Sequence, residues 1–298
     1  MSKSKQNLHL LVDVGGFFEG LRWRDGFWFA SDFQRNAVMR ISPTGTQERW
    51  AEVAGQPSGL GWLTDGSMLI VSMHEHRLLR RITADVLEPY ADLGAYPVGH
   101  LNDMVVSAAG HAYVSAFGFD VDIGEEPRKT TVLHVSPDRK VSVAADDFFF
   151  PNGMVITPDD KTLIVGESFG GCYTAFSIAA DGSLSDRRLW AALGPMPILG
   201  EPLMSQIKVT PDGCCLDADG AIWFADPINH RVVRTLEGGQ ITDEIPAPEG
   251  LYFWACMLGG YDGRTLLISC APNFLAPHGN GEGQLYTTRV SVPHAGLP

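Results

Sequence analysis

The amino-acid sequence predicts an all-β fold, a six-bladed β-propeller of four-stranded blades, and three observations predict it. A turn-and-strand unit recurs six times, strands rather than helices fill each repeat, and the chain begins with a strand that its last repeat lacks. The recurring pieces are RDGFWFAS, TDGSMLIVS, AAGHAYVSA, PDDKTLIVGE, ADGAIWFAD and YDGRTLLISC. Asp-Gly or a close substitute occupies most of their tight turns, where a positive φ is needed. The second strands begin near Phe27, Met68, Ala112, Leu163, Ile222 and Leu266, at spacings of 41, 44, 51, 59 and 44 residues. Propeller blades repeat at roughly 40 to 50 residues.

The remaining strands follow in order. Third strands read AVMRISP from Ala37, RLLRRIT from Arg77, TVLHVSP from Thr131, CYTAFSI from Cys172, RVVRTLE from Arg231 and QLYTTRV from Gln284. Their β-branched and aromatic content suits strands that face neighbouring blades. Fourth strands fit 46–53, 85–93, 140–147, 184–193 and 239–247, but blade six has none after 284–292. LHLLVDV, residues 8–14, would supply it and close the ring, leaving no long open edge. The expected blades are 15–54, 55–97, 98–147, 148–206, 207–250 and 251–292 with 8–14, one domain over 1–298. No long segment holds a 3.6-residue apolar period, which disfavours helices and a βαβ sheet. Two segments exceed hairpin length, 117–129 and 194–208, and long loops in compact domains often build binding walls.

Composition sets outer bounds. The 298 residues are 45% hydrophobic, enough for a large core, so disorder is not indicated. The net charge of −13 and the lack of any Lys/Arg run leave nucleic acid without its electrostatic footprint. No stretch reaches the ~18 apolar residues of a membrane span, and the N-terminus does not read as a signal peptide. Cys172, Cys214, Cys215, Cys256 and Cys270 sit in apolar, strand-like contexts and read as reduced core thiols. A cytoplasmic protein with a small-molecule partner is the expectation; the oligomeric state stays open.

The first strand of each blade lines the central channel. Its starts fall at Glu19, Ser58, Asn102, Asn152, Asp212 and roughly Trp254, and Gly follows at Gly20, Gly59, Gly153 and Gly213. Glu19, Asn152 and Asp212 together offer two carboxylates and an amide oxygen, a donor set for a hard cation such as Ca²⁺, Mg²⁺ or Mn²⁺. Singly, Asn or Asp before Gly is an ordinary turn former. As one register across separate blades, the set reads as a metal site.

The segments FFEGLRW, HLND, FFFPNGM, TPDGCCLDADGAIWFAD and WACMLGG, in this order, resemble the SMP-30/gluconolactonase/luciferin-regenerating family along essentially the whole chain. The resemblance implies a lactone or ester hydrolase with one divalent ion, Ca²⁺ foremost and Zn²⁺, Mn²⁺ or Mg²⁺ as alternatives. It implies Glu19, Asn152 and Asp212 as ligands, Asp212 also as general base, and Asn102 as a substrate contact. Asp103 reads as a structural partner. A bound divalent ion polarises an ester carbonyl and activates water.

One departure stands out. His100 occupies the position where sugar-lactonase members carry Arg, and imidazole lacks the fixed, always-charged fork of guanidinium. His100 is therefore a candidate substrate contact or proton-transfer group. The segments expected near the mouth hold Phe117, Phe119, Phe148, Phe149, Phe150, Phe169, Met196, Met204, Phe253 and Trp254, some of them plain core. Phe117 and Trp254 are expected to touch substrate. Loss of the Arg and gain of aromatics favour a substrate more apolar than a sugar lactone.

Other motifs are discounted. Gly166-Glu167-Ser168-Phe169-Gly170 spells G-x-S-x-G, but no helix follows to form a nucleophile elbow. Asp120-Val121-Asp122-Ile123-Gly124 is like a calcium loop whose twelfth position is Thr131 instead of Glu. His74-Glu75-His76 reads as a solvated hairpin. The competing readings are a non-hydrolytic enzyme on the same scaffold, such as an isomerase or ring-opening enzyme, and a non-catalytic calcium- or ligand-binding propeller. Strictosidine-synthase-like and paraoxonase-like propellers are weaker matches.

Overall fold

The computed structural model describes residues 7–83, 86–120, 122–198, 201–272 and 282–296. Six four-stranded antiparallel sheets follow one another around a ring, and five of them run in simple sequence order. The sixth takes its outer strand from the chain start: His9–Gly15 pairs with Gly283–Arg289, Val12 opposite Leu285. The ring therefore closes as expected, within one residue of the expected limits. The second- and third-strand starts agree as closely, and the fourth-strand starts within two residues; second strands begin at Phe27, Met68, Ala112, Thr162, Ile222 and Thr265.

Apolar clusters lie between blades. Phe29, Val38, Leu60 and Ile70 join blades one and two, and Val105, Tyr113, Met154 and Val165 join three and four. Each sheet is apolar on both faces near the axis, which explains why the inner strands are nearly continuous hydrophobic runs instead of alternating ones. Helix is confined, among the described residues, to Leu203–Gln206 and a single 3₁₀ turn at Pro227–Asn229.

The first strands surround the channel, and five of them share one irregularity. Glu19 to Arg22 spans three residues against two across the ladder, Ser31 to Phe29. The same bulge recurs at Pro57–Leu60, Leu101–Met104, Pro151–Met154 and Phe253–Cys256. A bulge bends its strand and re-aims the side chain beside it. Glycine fits here because neighbouring first strands nearly touch. A Cβ on Gly20, already at φ +56, would stand 2.4 Å from the Ser58 carbonyl oxygen, and one on Gly153 would stand 2.6 Å from that of Asp212. The X-Gly register of the sequence is thus a packing requirement at the channel mouth.

Candidate metal centre and substrate cavity

Ladder pairing aligns Glu19, Ser58, Asn102 and Asn152 at the second residue of their strands, and the bond from the Asp212 amide to the Ala225 carbonyl puts Asp212 in the same place. In blade six that position is Trp254: Phe253 pairs with Cys270 just ahead of the bulge, as Pro57, Leu101 and Pro151 pair ahead of theirs, and the Ala255 amide meets Ser269 Oγ as the Asp103 amide meets Ser115 Oγ. Glu19, Asn102, Asn152 and Asp212 face one cavity of about 400 Å³ at the channel mouth. Residues far apart in sequence are thereby gathered by repeat symmetry alone.

The walls are aromatic. Phe117, Phe119, Phe150 and Phe169 form one cluster, with ring centroids 4.6 Å apart for Phe117–Phe150 and 4.9 Å for Phe150–Phe169. Tyr252 and Trp254, 5.9 Å apart, form another part of the lining, with Phe33. The long segment 117–129 is a wall, through Phe117, Phe119 and Pro127. The other long segment is not, because none of its described residues lines the cavity. Of the remaining apolar candidates, Phe148 packs on Phe176 and Phe149 lies under the Lys129 ammonium, while Met196 is exposed beside Phe149 in a different hollow. The Met204 side chain lies outside the described residues.

The polar floor is held in place. Asn152 donates from Nδ2 to Ser168 Oγ at 3.0 Å, and that hydroxyl donates to the Pro211 carbonyl at 2.6 Å, just ahead of Asp212. Ser168 is thus no nucleophile elbow; it links two blades and orients a candidate ligand. Asp32, Glu167 and Asp226 do similar work from a conserved place in the repeat, the end of the second strand. Each is buried and accepts backbone N–H groups from the segment entering its own blade: Gly16 and Phe17 on Asp32, Phe149 on Glu167, Thr210 on Asp226. Glu19, Asn152 and Asp212 follow two or three residues later in those same blades. The equivalent residues of the other three blades are Ser72, Ala116 and Cys270, so an acid stands there only where a candidate ligand follows. The expected effect of Asp226→Asn is a metal affinity lower by about tenfold, measured calorimetrically, since ligand-supporting groups commonly contribute that much.

The electrostatics favour a cation. Glu19 and Asp212 keep some contact with solvent through the cavity, yet protein surrounds them on every other side. Burial pushes the Asp212 carboxyl up to about 8, partly opposed by a hydrogen bond from Asn152. Burial also raises Glu19 well above its usual range, and the Asp212 and Asp103 charges add to it. Two desolvated carboxylates that repel each other are relieved by a divalent ion. The amide nitrogen of Asn102 is buried with no hydrogen-bond partner, which leaves a donor for a bound molecule. Donor chemistry, mutual repulsion and this orphaned amide fit a hard divalent cation with a substrate beside it.

His100 lies elsewhere. It is buried, does not line the cavity, and sits behind Phe117 with ring centroids 6.1 Å apart. Its Nε2 lies 3.1 Å from Asp120 Oδ1 and 3.3 Å from Asp122 Oδ2. Asp103 is the structural partner expected of it, bonded to Arg22 and to its neighbour's amide.

Fold and site together define a propeller with a hard-cation donor set under an aromatic cavity at one channel mouth. The chain belongs to the SMP-30/Gluconolactonase/LRE-like family, whose model matches residues 17–272. It is 26% identical over 173 residues to 6-deoxy-6-sulfogluconolactonase of Pseudomonas putida, a match covering 56% of this chain and 55% of that protein. With Lactonase drp35 of Staphylococcus epidermidis it shares 24% over 293 residues, covering 93% of this chain and 84% of the relative. The match thus spans about half the length of the first relative and most of the second. The solved structure of a calcium-binding protein, regucalcin, from Agrobacterium tumefaciens has a TM-score of 0.78 at 18% identity, covering 98% of this chain and 97% of that one. At that identity the likeness shows the fold. At family level the relatives are lactonase-type enzymes and calcium-binding proteins. No helix among the described residues is long and apolar enough to cross a membrane.

Proposed function

We propose that this chain is a divalent-metal-dependent hydrolase that opens a lactone, or a related cyclic or aryl ester, with a more apolar body than a sugar. The observation that carries the reading is the pairing of an oxygen-donor floor with aromatic walls in one cavity. Glu19, Asn152 and Asp212 would hold the ion, Ca²⁺ foremost. When bound, the ion polarises the ester carbonyl and makes water more acidic.

The chain's own groups supply the rest. The unpartnered amide of Asn102 donates to an oxygen of the substrate and orients the ring. Asp212, whose burial suits it to hold a proton near neutrality, takes one from the attacking water and returns it to the leaving alkoxide. Phe117 and Trp254 stack on the apolar body and exclude bulk water. His100 is left out of the proton transfer, because it does not line the cavity and its Nε2 is engaged by Asp120 and Asp122. The partner is a small molecule, and the cytoplasm suits the reading.

The test is hydrolysis of a lactone panel by chelator-stripped protein, with and without Ca²⁺, Mn²⁺ or Zn²⁺. Aryl-fused lactones are expected to turn over at least tenfold faster than gluconolactone, and only with metal. A strong preference for gluconolactone would sink the apolar-substrate reading. Stoichiometric metal binding with no turnover of any lactone would sink hydrolysis, leaving ring opening without water or a binding role.

A further inference from the structure

Two motifs that sequence reasoning sets aside meet around His100. The His74-Glu75-His76 hairpin of blade two lays His74 on the face of that ring, and Asp120 and Asp122 of blade three meet its Nε2. One ligand atom each from His74, His100 and Asp122 lies within 4.8 Å of the others. His74 Nδ1 is 3.8 Å from Asp122 Oδ2, and the same oxygen is 3.3 Å from His100 Nε2. Asp120 Oδ1, 3.1 Å from that nitrogen, stands ready as a further oxygen donor.

The geometry points to a second metal site here, of two imidazole nitrogens and aspartate oxygen, for a borderline transition ion of the Zn²⁺ or Co²⁺ type. Imidazole and carboxylate together suit such ions, whereas the all-oxygen set of Glu19, Asn152 and Asp212 suits a hard one. The two sites therefore differ in chemistry and in place, and this one does not depend on what the cavity hydrolyses.

One adjustment is required. The His74 and His100 rings are stacked, 4.4 Å between centroids and 11° from parallel. A metal lies near the plane of each imidazole it binds, so two parallel rings cannot both serve. His100 is buried with its nitrogen already aimed at the aspartates, so it keeps its place. The His74 side chain is 36% exposed and turns out of the stack about its own side-chain bonds. The ion then ties the end of a blade-two strand to the segment that carries Phe117, Phe119 and Pro127, and so fixes one wall of the cavity.

Cobalt reports the site directly, because imidazole ligation at low coordination number gives intense visible bands that an all-oxygen octahedral site does not. Tag-free, chelator-stripped protein is titrated with Co²⁺ and then with Zn²⁺. The wild type is expected to develop the intense bands and to lose them as Zn²⁺ displaces Co²⁺. His74→Ala and Asp122→Asn, both at exposed side chains, are expected to abolish the bands and weaken Zn²⁺ binding at least tenfold, with Ca²⁺ binding unchanged. Glu19→Gln is expected to keep the bands. Intense bands that survive in His74→Ala and Asp122→Asn, or none in the wild type, would overturn the proposal. Unchanged Ca²⁺ affinity in the variants shows that they are folded, and an Asp122→Glu variant that regains the bands separates ligation from loop support.

Discussion

Asp212→Asn is expected to lower kcat/KM on the best lactone about a thousandfold or more, because it removes a proton acceptor and a negative charge of the metal site together. General base catalysis alone is worth about 10²- to 10⁴-fold. Asparagine keeps the volume and the hydrogen bond to Asn152, so the loss reports charge, not shape. The same variant makes a second, opposite prediction about stability. In metal-free protein, burial pushes Asp212 up to about 8 from an ordinary 3.8, and Glu19 rises as well. Between those limits the folded protein holds a proton that the unfolded chain has released. Stability from this group is therefore complete below about pH 4 and is lost as pH climbs toward 8, at up to about 1.4 kcal/mol per pH unit. Metal-free wild type should lose thermal stability over that window more steeply than metal-free Asp212→Asn. Saturating Ca²⁺ should reverse the trend for the wild type, since the ion competes with the proton and gains as pH rises. Parallel melting profiles for the two metal-free proteins, from pH 4 to 8, would show that the carboxylate is not under this strain.

The scaffold was legible because its signal is local and repeated. Asp-Gly turns, β-branched runs and a regular spacing recur six times, so an error in one blade is corrected by the others, and strand starts agree within two residues. The gathering of Glu19, Asn152 and Asp212 at one cavity was legible for the same reason, as a register. Legibility ended where contacts depend on which loop leans on which. His100 was expected at the substrate; its ring is turned toward Asp120 and Asp122, partners from a loop whose path no periodicity specifies. Trp254 itself keeps the register of the other strand starts, in the bulge of its strand, and lines the cavity. Phe148, Phe149 and Phe150 are consecutive, yet only Phe150, at φ +53, lines the cavity. One signal was present and unread: an acid closes the second strand in blades one, four and five alone, as Asp32, Glu167 and Asp226. Those are the blades that carry the candidate ligands.

Arg22→Ala is expected to cost about 3–5 kcal/mol of unfolding free energy, the usual consequence of stranding one half of a buried ion pair. Arg22 lies inside the channel, its side chain 4% exposed. It donates to the carbonyls of Leu21, Leu60 and Met104 and to Asp103 Oδ1 at 3.0 Å, and so joins blades one, two and three. Its removal leaves the Asp103 carboxylate without its cation and takes the guanidinium donor from three carbonyls, in a buried place. Arg22→Lys should recover only part of the loss, because an ammonium on a flexible stem cannot reproduce four donors set in a planar fork. The pair itself is a different matter from its broken halves. Replacing both members, as Arg22→Met with Asp103→Leu, should cost less than either single change, since the uncompensated charge is then gone. Chemical denaturation of the four proteins decides it. A double variant as unstable as the sum of the singles would mean that Arg22 and Asp103 stabilise the ring through separate contacts, and that the three carbonyls, not the charge, are what Arg22 is there to satisfy.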